Sequence, residues 1–109
     1  MAKRAVSAWL AYDEAAGRLQ VGASVGFASE MLHQAEQALT MSLADPWAPA
    51  IAAVEGRSFY LKQTVGSPVW PVFDPDVRSA YCAPLFYSGR LYGSFVLLSE
   101  EEDGFESEA

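Results

Sequence analysis

The stretch that decides the fold is Arg78–Ser99, RSAYCAPLFYSGRLYGSFVLLS. It reads as two neighbouring strands turned at Ser88-Gly89, because glycine takes the positive φ that a two-residue hairpin needs. Both strands carry apolar side chains at odd and even positions alike. Ala80, Cys82 and Phe86 point one way, and Tyr81, Ala83, Leu85 and Tyr87 point the other. Such a hairpin needs cover on both faces. Pro84 has no N–H to give a ladder, so it marks a bulge or an irregular pairing point. Gly93 inside a strand signals a bend or a close backbone approach.

Upstream, residues 6–12 (VSAWLAY) read as a strand and Asp13–Gly17 as its turn. Residues 18–25 (RLQVGASV) then alternate, with Leu19, Val21, Ala23 and Val25 expected on one face. After Gly26, Ser29 is the expected N-cap of an amphipathic helix carrying apolar residues at helical spacing as far as Leu43. Asp45-Pro46 is expected to open a second helical piece, rich in alanine, that Gly56 stops. Residues 58–62 (SFYLK) form a short strand. The connection 63–77, QTVGSPVWPVFDPDV, holds three prolines but also Trp70 and Phe73. A solvated linker would not carry such residues, so the loop is expected to pack back over the domain, with a helical turn at Asp74-Pro75-Asp76. Strands, two helices, a strand and a final hairpin make an α+β pattern with an antiparallel sheet.

The 109 residues suit one domain, and 51% hydrophobic against 19% charged residues favours a folded globule. No apolar run approaches the roughly 18–20 residues of a membrane-spanning helix, and the start does not read as a signal peptide. A lone cysteine excludes an internal disulfide and makes a cytoplasmic location the expectation. Net charge is −7, but six of the fourteen acids lie in residues 100–109, leaving eight acids against seven bases in the body. That near-neutral body has no basic stripe for nucleic acid. The acidic tail reads as a solvated end.

Ser79-Ala80-Tyr81-Cys82-Ala83-Pro84-Leu85, followed by Gly89 and Gly93, resembles the terminal hairpin of GAF domains. Ala53–Arg57 resembles the helix end before that family's middle strand, Asp74-Pro75 its loop, and Gly22–Gly26 its second strand and exit. The resemblance implies a GAF-like (profilin/PAS-like) sheet of five or six antiparallel strands, with helices and the long loop over one face. Counting the five strands in chain order, it implies the order 2-1-5-4-3. It also implies that residues 1–109 are a single domain from a longer signalling protein. The implied role is a non-catalytic sensory or regulatory domain that binds a small molecule, the alternative being a ligand-free dimerisation scaffold. In the family, helices before the first strand and after the last lie together on the outer face. Here that face, with Trp9, Cys82 and Phe86, is expected to lack cover, which points to a homodimer through it and the terminal segments.

For site residues, Trp47, Tyr60, Trp70, Phe73 and Tyr81 are the expected pocket wall and Arg78 its charged contact. No catalytic set and no metal cluster is read, and no cofactor is implied. Cys82 among apolar neighbours reads as a small buried hydrophobe, although bilin-binding relatives use a cysteine. A redox reductase of this fold uses several cysteines, where this chain has one. His33 on the polar arc of the first helix reads as a surface residue rather than a haem ligand. Asp74 and Asp76 read as turn formers rather than cation ligands.

Overall fold

The last two strands, β5 (Ser79–Tyr87) and β6 (Arg90–Ser99), form the hairpin at the centre of the molecule. Its turn has positive φ at both Ser88 (52°) and Gly89 (76°), the two-residue geometry whose twist matches the flanking strands. The structure, a computed structural model, describes residues 5–71, 73–74 and 76–101. The acidic end from Glu102 onward lies outside the described residues.

Ahead of the hairpin come β1 (Ala5–Asp13), β2 (Arg18–Val25), α1 (Ser29–Leu39), β3 (Met41–Ser42), α2 (Ala48–Glu55) and β4 (Phe59–Leu61). The six strands form one antiparallel sheet in the order β3-β2-β1-β6-β5-β4. This is the expected 2-1-5-4-3 order with one two-residue strand added at the edge. α1 packs on β2, and α2 packs on β4, β5 and β6. Both lie on the face that carries the core, where Leu10, Leu19, Leu39, Val96 and Leu98 are almost wholly buried. Each such side chain contributes about 1.5–3 kcal/mol by leaving water, so this face holds the fold together.

Several local expectations are corrected. α1 begins after Ala28 in the N-cap position, with no side-chain cap from Ser29. It stops at Leu39, where Thr40 turns extended and its hydroxyl donates back to the Glu36 carbonyl at 2.7 Å. The chain then buries Met41 in β3, paired with Leu19, so Leu43 is not helical. Asp45 does not cap α2 either. Its carboxylate accepts from the Ser42 N–H at 3.0 Å and closes a turn, and Trp47 holds the N-cap position. Gly56 does end α2, in left-handed conformation at φ 69°. Asp74 is a turn former: its side chain accepts from Asp76 N–H at 2.9 Å and its carbonyl from Val77 N–H at 3.2 Å, while Pro75 lies outside the described residues.

The alternation in β2 is broken by a bulge. Leu10 pairs with Val21 but Trp9 pairs with Ala23, so Gly22 is the extra residue. Leu19 is fully buried and Val25 is 70% exposed. Leu19 and Val21 therefore face the core, and Ala23 and Val25 face the opposite way. In the hairpin, register places Ala80 and Cys82 on the core face, opposite Leu98 and Val96. Cys82 is 0% exposed, which corrects its expected place on the outer face. Trp9 does lie on the outer face. Pro84 pairs with Ser94, and the irregularity falls just after it, between Leu85 and Phe86.

Candidate functional site

The connection between β4 and β5 folds back over the core face, as its aromatic content predicted. Its two ends are clasped at Thr64, whose N–H donates to the Arg78 carbonyl at 2.8 Å. The buried Thr64 hydroxyl donates to the Val77 carbonyl, also at 2.8 Å. Midway, the Val69 carbonyl accepts from Ala48 N–H at 2.7 Å, which ties the loop to the start of α2. Trp70 is 3% exposed and joins the core cluster. Its ring lies 6.3 Å from that of Phe73, which lies 6.0 Å from Phe27, the residue leading into α1. Trp47 and Val69 are partly buried against the same cluster. The entry to α1 and the loop thus meet in one aromatic group, with the buried Asp74 beside Phe73 in sequence, while Trp47 at the entry to α2 packs on the same core.

The expected pocket wall divides between the two faces. Trp47, Trp70 and Phe73 all lie on the covered side, with Trp70 and Phe73 in ring contact. Tyr60 pairs with Tyr81 in register, with rings 6.2 Å apart, on the opposite face of the sheet. Strand alternation is the reason: Phe59 and Leu61 take the core positions, so Tyr60 between them cannot. Arg78 is exposed, and its backbone carries the loop clasp and a bond from its N–H to the Ser99 carbonyl. Phe27 was not anticipated, although an apolar residue just before a helix N-cap is a staple position that packs back on its neighbours. Ser94 was also missed. It is fully buried on the core face opposite Leu10 and Pro84, and among described residues its hydroxyl is the one buried side-chain polar atom without a hydrogen-bond partner.

Burial pushes the Cys82 thiol up to about 12, so it is protonated and shielded in this conformation. His33 lies on the exposed side of α1, lining a shallow groove of about 420 Å3 with Glu36, Gln37 and Thr40. Among described residues, no group of three or more His, Cys, Asp and Glu side chains is placed to hold a metal ion. No helix among them is long and apolar enough to cross a membrane.

A curled antiparallel sheet in this strand order, with two helices and a long loop on one face, is a GAF-like fold. Solved structures of that fold superpose on it. The chain matches the type II free methionine-R-sulfoxide reductase of Thermoplasma acidophilum at TM-score 0.72 and 18% identity, covering 94% of this chain and 65% of that one. It matches the free methionine-R-sulfoxide reductase of Neisseria meningitidis, solved in complex with its substrate, at TM-score 0.77 and 17% identity, covering 93% and 55%. The GAF domain of an Acinetobacter phosphoenolpyruvate-protein phosphotransferase matches at 0.70 and 18%, covering 96% and 59%. The chain therefore spans a little over half to about two thirds of the length of these structures. No protein-family model and no curated protein matches the sequence.

These matches correct the functional expectation. The same fold serves reductases as well as GAF domains, so the fold gives no ground for a domain that does no chemistry. The non-catalytic sensory reading and its ligand-free scaffold alternative are both withdrawn.

Proposed function

We propose that this chain is a small-molecule-binding domain of GAF-like fold, with the ligand held on the covered face by Phe27, Trp47, Trp70 and Phe73. The observation that carries this reading is the aromatic 62–78 connection, folded over the core and tied down at its ends and its middle. A linker has no need of those ties, whereas a binding loop held by a rigid scaffold does. The unused Ser94 hydroxyl on the same face supports a ligand with a polar group. The Neisseria reductase, solved with its substrate, supports a small ligand in this fold. Within the same proposal, residues 1–109 are one domain of a longer protein, and two copies meet through the uncovered outer face.

Native mass spectrometry of protein purified from its source organism tests the binding. The expected result is a co-purifying small molecule. Methionine-R-sulfoxide is the first added probe, read by tryptophan fluorescence and by a rise in melting temperature. Conversion of the probe to methionine in the presence of dithiothreitol shows whether binding leads to reaction. Protein that carries no small molecule and responds to none in either measurement sinks the binding reading. The oligomeric state is read separately.

A further inference from the structure

The outer face of the central strands has a size pattern that the fold itself does not require. Along β1 the outward residues are Ser7, Trp9 and Ala11: small, large, small. Along β5 they are Tyr81, Ala83 and Leu85: large, small, large. β6 runs between them with Leu97, Phe95 and Gly93. Register aligns the three rows as Ser7–Leu97–Tyr81, Trp9–Phe95–Ala83 and Ala11–Gly93–Leu85. None of these nine residues is charged. Phe95 remains 42% exposed and Leu85 52%. The Trp9 indole lies flat on the sheet, with its ring tip over Gly93 and its Cδ1 by Gly22. Beside it, the Ser7 corner is left as a groove of about 180 Å3, bordered by Trp9, Ala23, Val25 and Phe95.

We propose that two copies of this chain pack outer face to outer face about a two-fold axis parallel to β6. This rests on the reading of the outer face as a homodimer surface, and it adds which residue meets which. A half-turn about that axis lays β1 of one copy over β5 of the other. Ser7 then meets the partner's Tyr81, Trp9 meets the partner's Ala83, and Ala11 meets the partner's Leu85. On the strands beside the axis these contacts set large side chains against small ones, which is how packed layers interdigitate. On the axis, Leu97 and Phe95 meet their own counterparts, and the two Trp9 ring tips face each other over Gly93. The groove at Ser7 receives the partner's Tyr81, with the partner's Tyr60 alongside. Such a contact is isologous, as a two-fold interface must be, and keeps the strands of the two sheets nearly aligned. Nine residues at about 3.4 Å and five strands at about 4.8 Å give a face on the order of 600 Å2 in projection, comparable with the roughly 800 Å2 per partner of a stable interface. The nine residues of the three rows carry no charge, so closing those rows strands no ion.

Sedimentation equilibrium of the full 109-residue chain tests this, with far-UV circular dichroism confirming that each variant is folded. The wild type is expected at twice 11.8 kDa. Phe95→Glu, at the centre, should weaken association by about 100-fold or more, and Ser7→Tyr, which fills the groove, by about tenfold or more. The decisive result is rescue: Ser7→Tyr combined with Tyr81→Ser should return to within about threefold of wild type, because the large and small partners have been exchanged. Should Ser7→Tyr fail to fold, Ala83→Trp against Trp9 supplies the equivalent clash. If Phe95→Glu dissociates the dimer but Ser7→Tyr and Ala83→Trp do not, the outer-face dimer stands and this packing falls. A monomeric wild type overturns both.

Discussion

Gly93 shows how much one residue decides here. A side chain at that position would run into the Leu10 carbonyl and come within 2.7 Å of the Trp9 ring. The obstacle is backbone, which cannot swing aside as a flexible side chain could. Gly93→Ala should therefore destabilise the protein by about 3 kcal/mol in urea unfolding; a loss below about 0.5 kcal/mol would mean that β1 and β6 are not as close as described. The sequence flagged Gly93 as a close approach because a glycine inside an apolar strand has few other uses. It did not show what approached it, since Leu10 and Trp9 lie more than eighty residues away. Cys82 illustrates the opposite limit: its apolar neighbours foretold burial, and only strand register showed on which face.

At the scale of elements, the hairpin turns and the ends of strands were legible because glycine, proline and alternation act locally. Helix ends were less so. Ser29 and Asp45 are both good capping residues, yet neither caps. Burying Met41 beside Leu19 outweighs one more turn of α1, and Asp45 is taken up by the turn after β3. The long connection is held by its clasp more than by any periodicity. Thr64→Val keeps the shape and removes the hydroxyl that donates to Val77, leaving that carbonyl unpaired. Such a loss costs about 1–3 kcal/mol, and amide exchange between residues 65 and 71 should accelerate ahead of the β5–β6 amides. Equal protection in the wild type and Thr64→Val would show that the clasp does not hold the loop. The bulge at Gly22 was the costliest omission. One unpaired residue turned Ala23 and Val25 to the other face, and nothing in RLQVGASV marks it apart from the glycine.

Across the whole molecule, a single core cluster joins β1, β2, both helices, the loop and the final hairpin. The two hairpin tips also meet, where Arg90 reaches Glu14 at 3.2 Å, an exposed pair that adds little to stability. With one core, thermal unfolding should be a single transition, and near- and far-ultraviolet circular dichroism should coincide. Two separated midpoints would mean that the loop and helices form a subunit of stability apart from the sheet. The sequence by itself determined the class of fold, because alternation, turn residues and the need for cover on both faces of Arg78–Ser99 leave few arrangements, whereas the strand order came from the family resemblance and not from periodicity. The aromatic content of residues 63–77 also pointed to a loop that packs back over the domain. The tertiary structure alone decided how Trp47, Tyr60, Trp70, Phe73 and Tyr81 are divided between the two faces. That division depends on register, which pairs residues far apart in the chain and can be shifted by a single bulge. The covered face of Arg78–Ser99 holds the aromatic group, and its outer face holds the alternating large and small residues of β1 and β5.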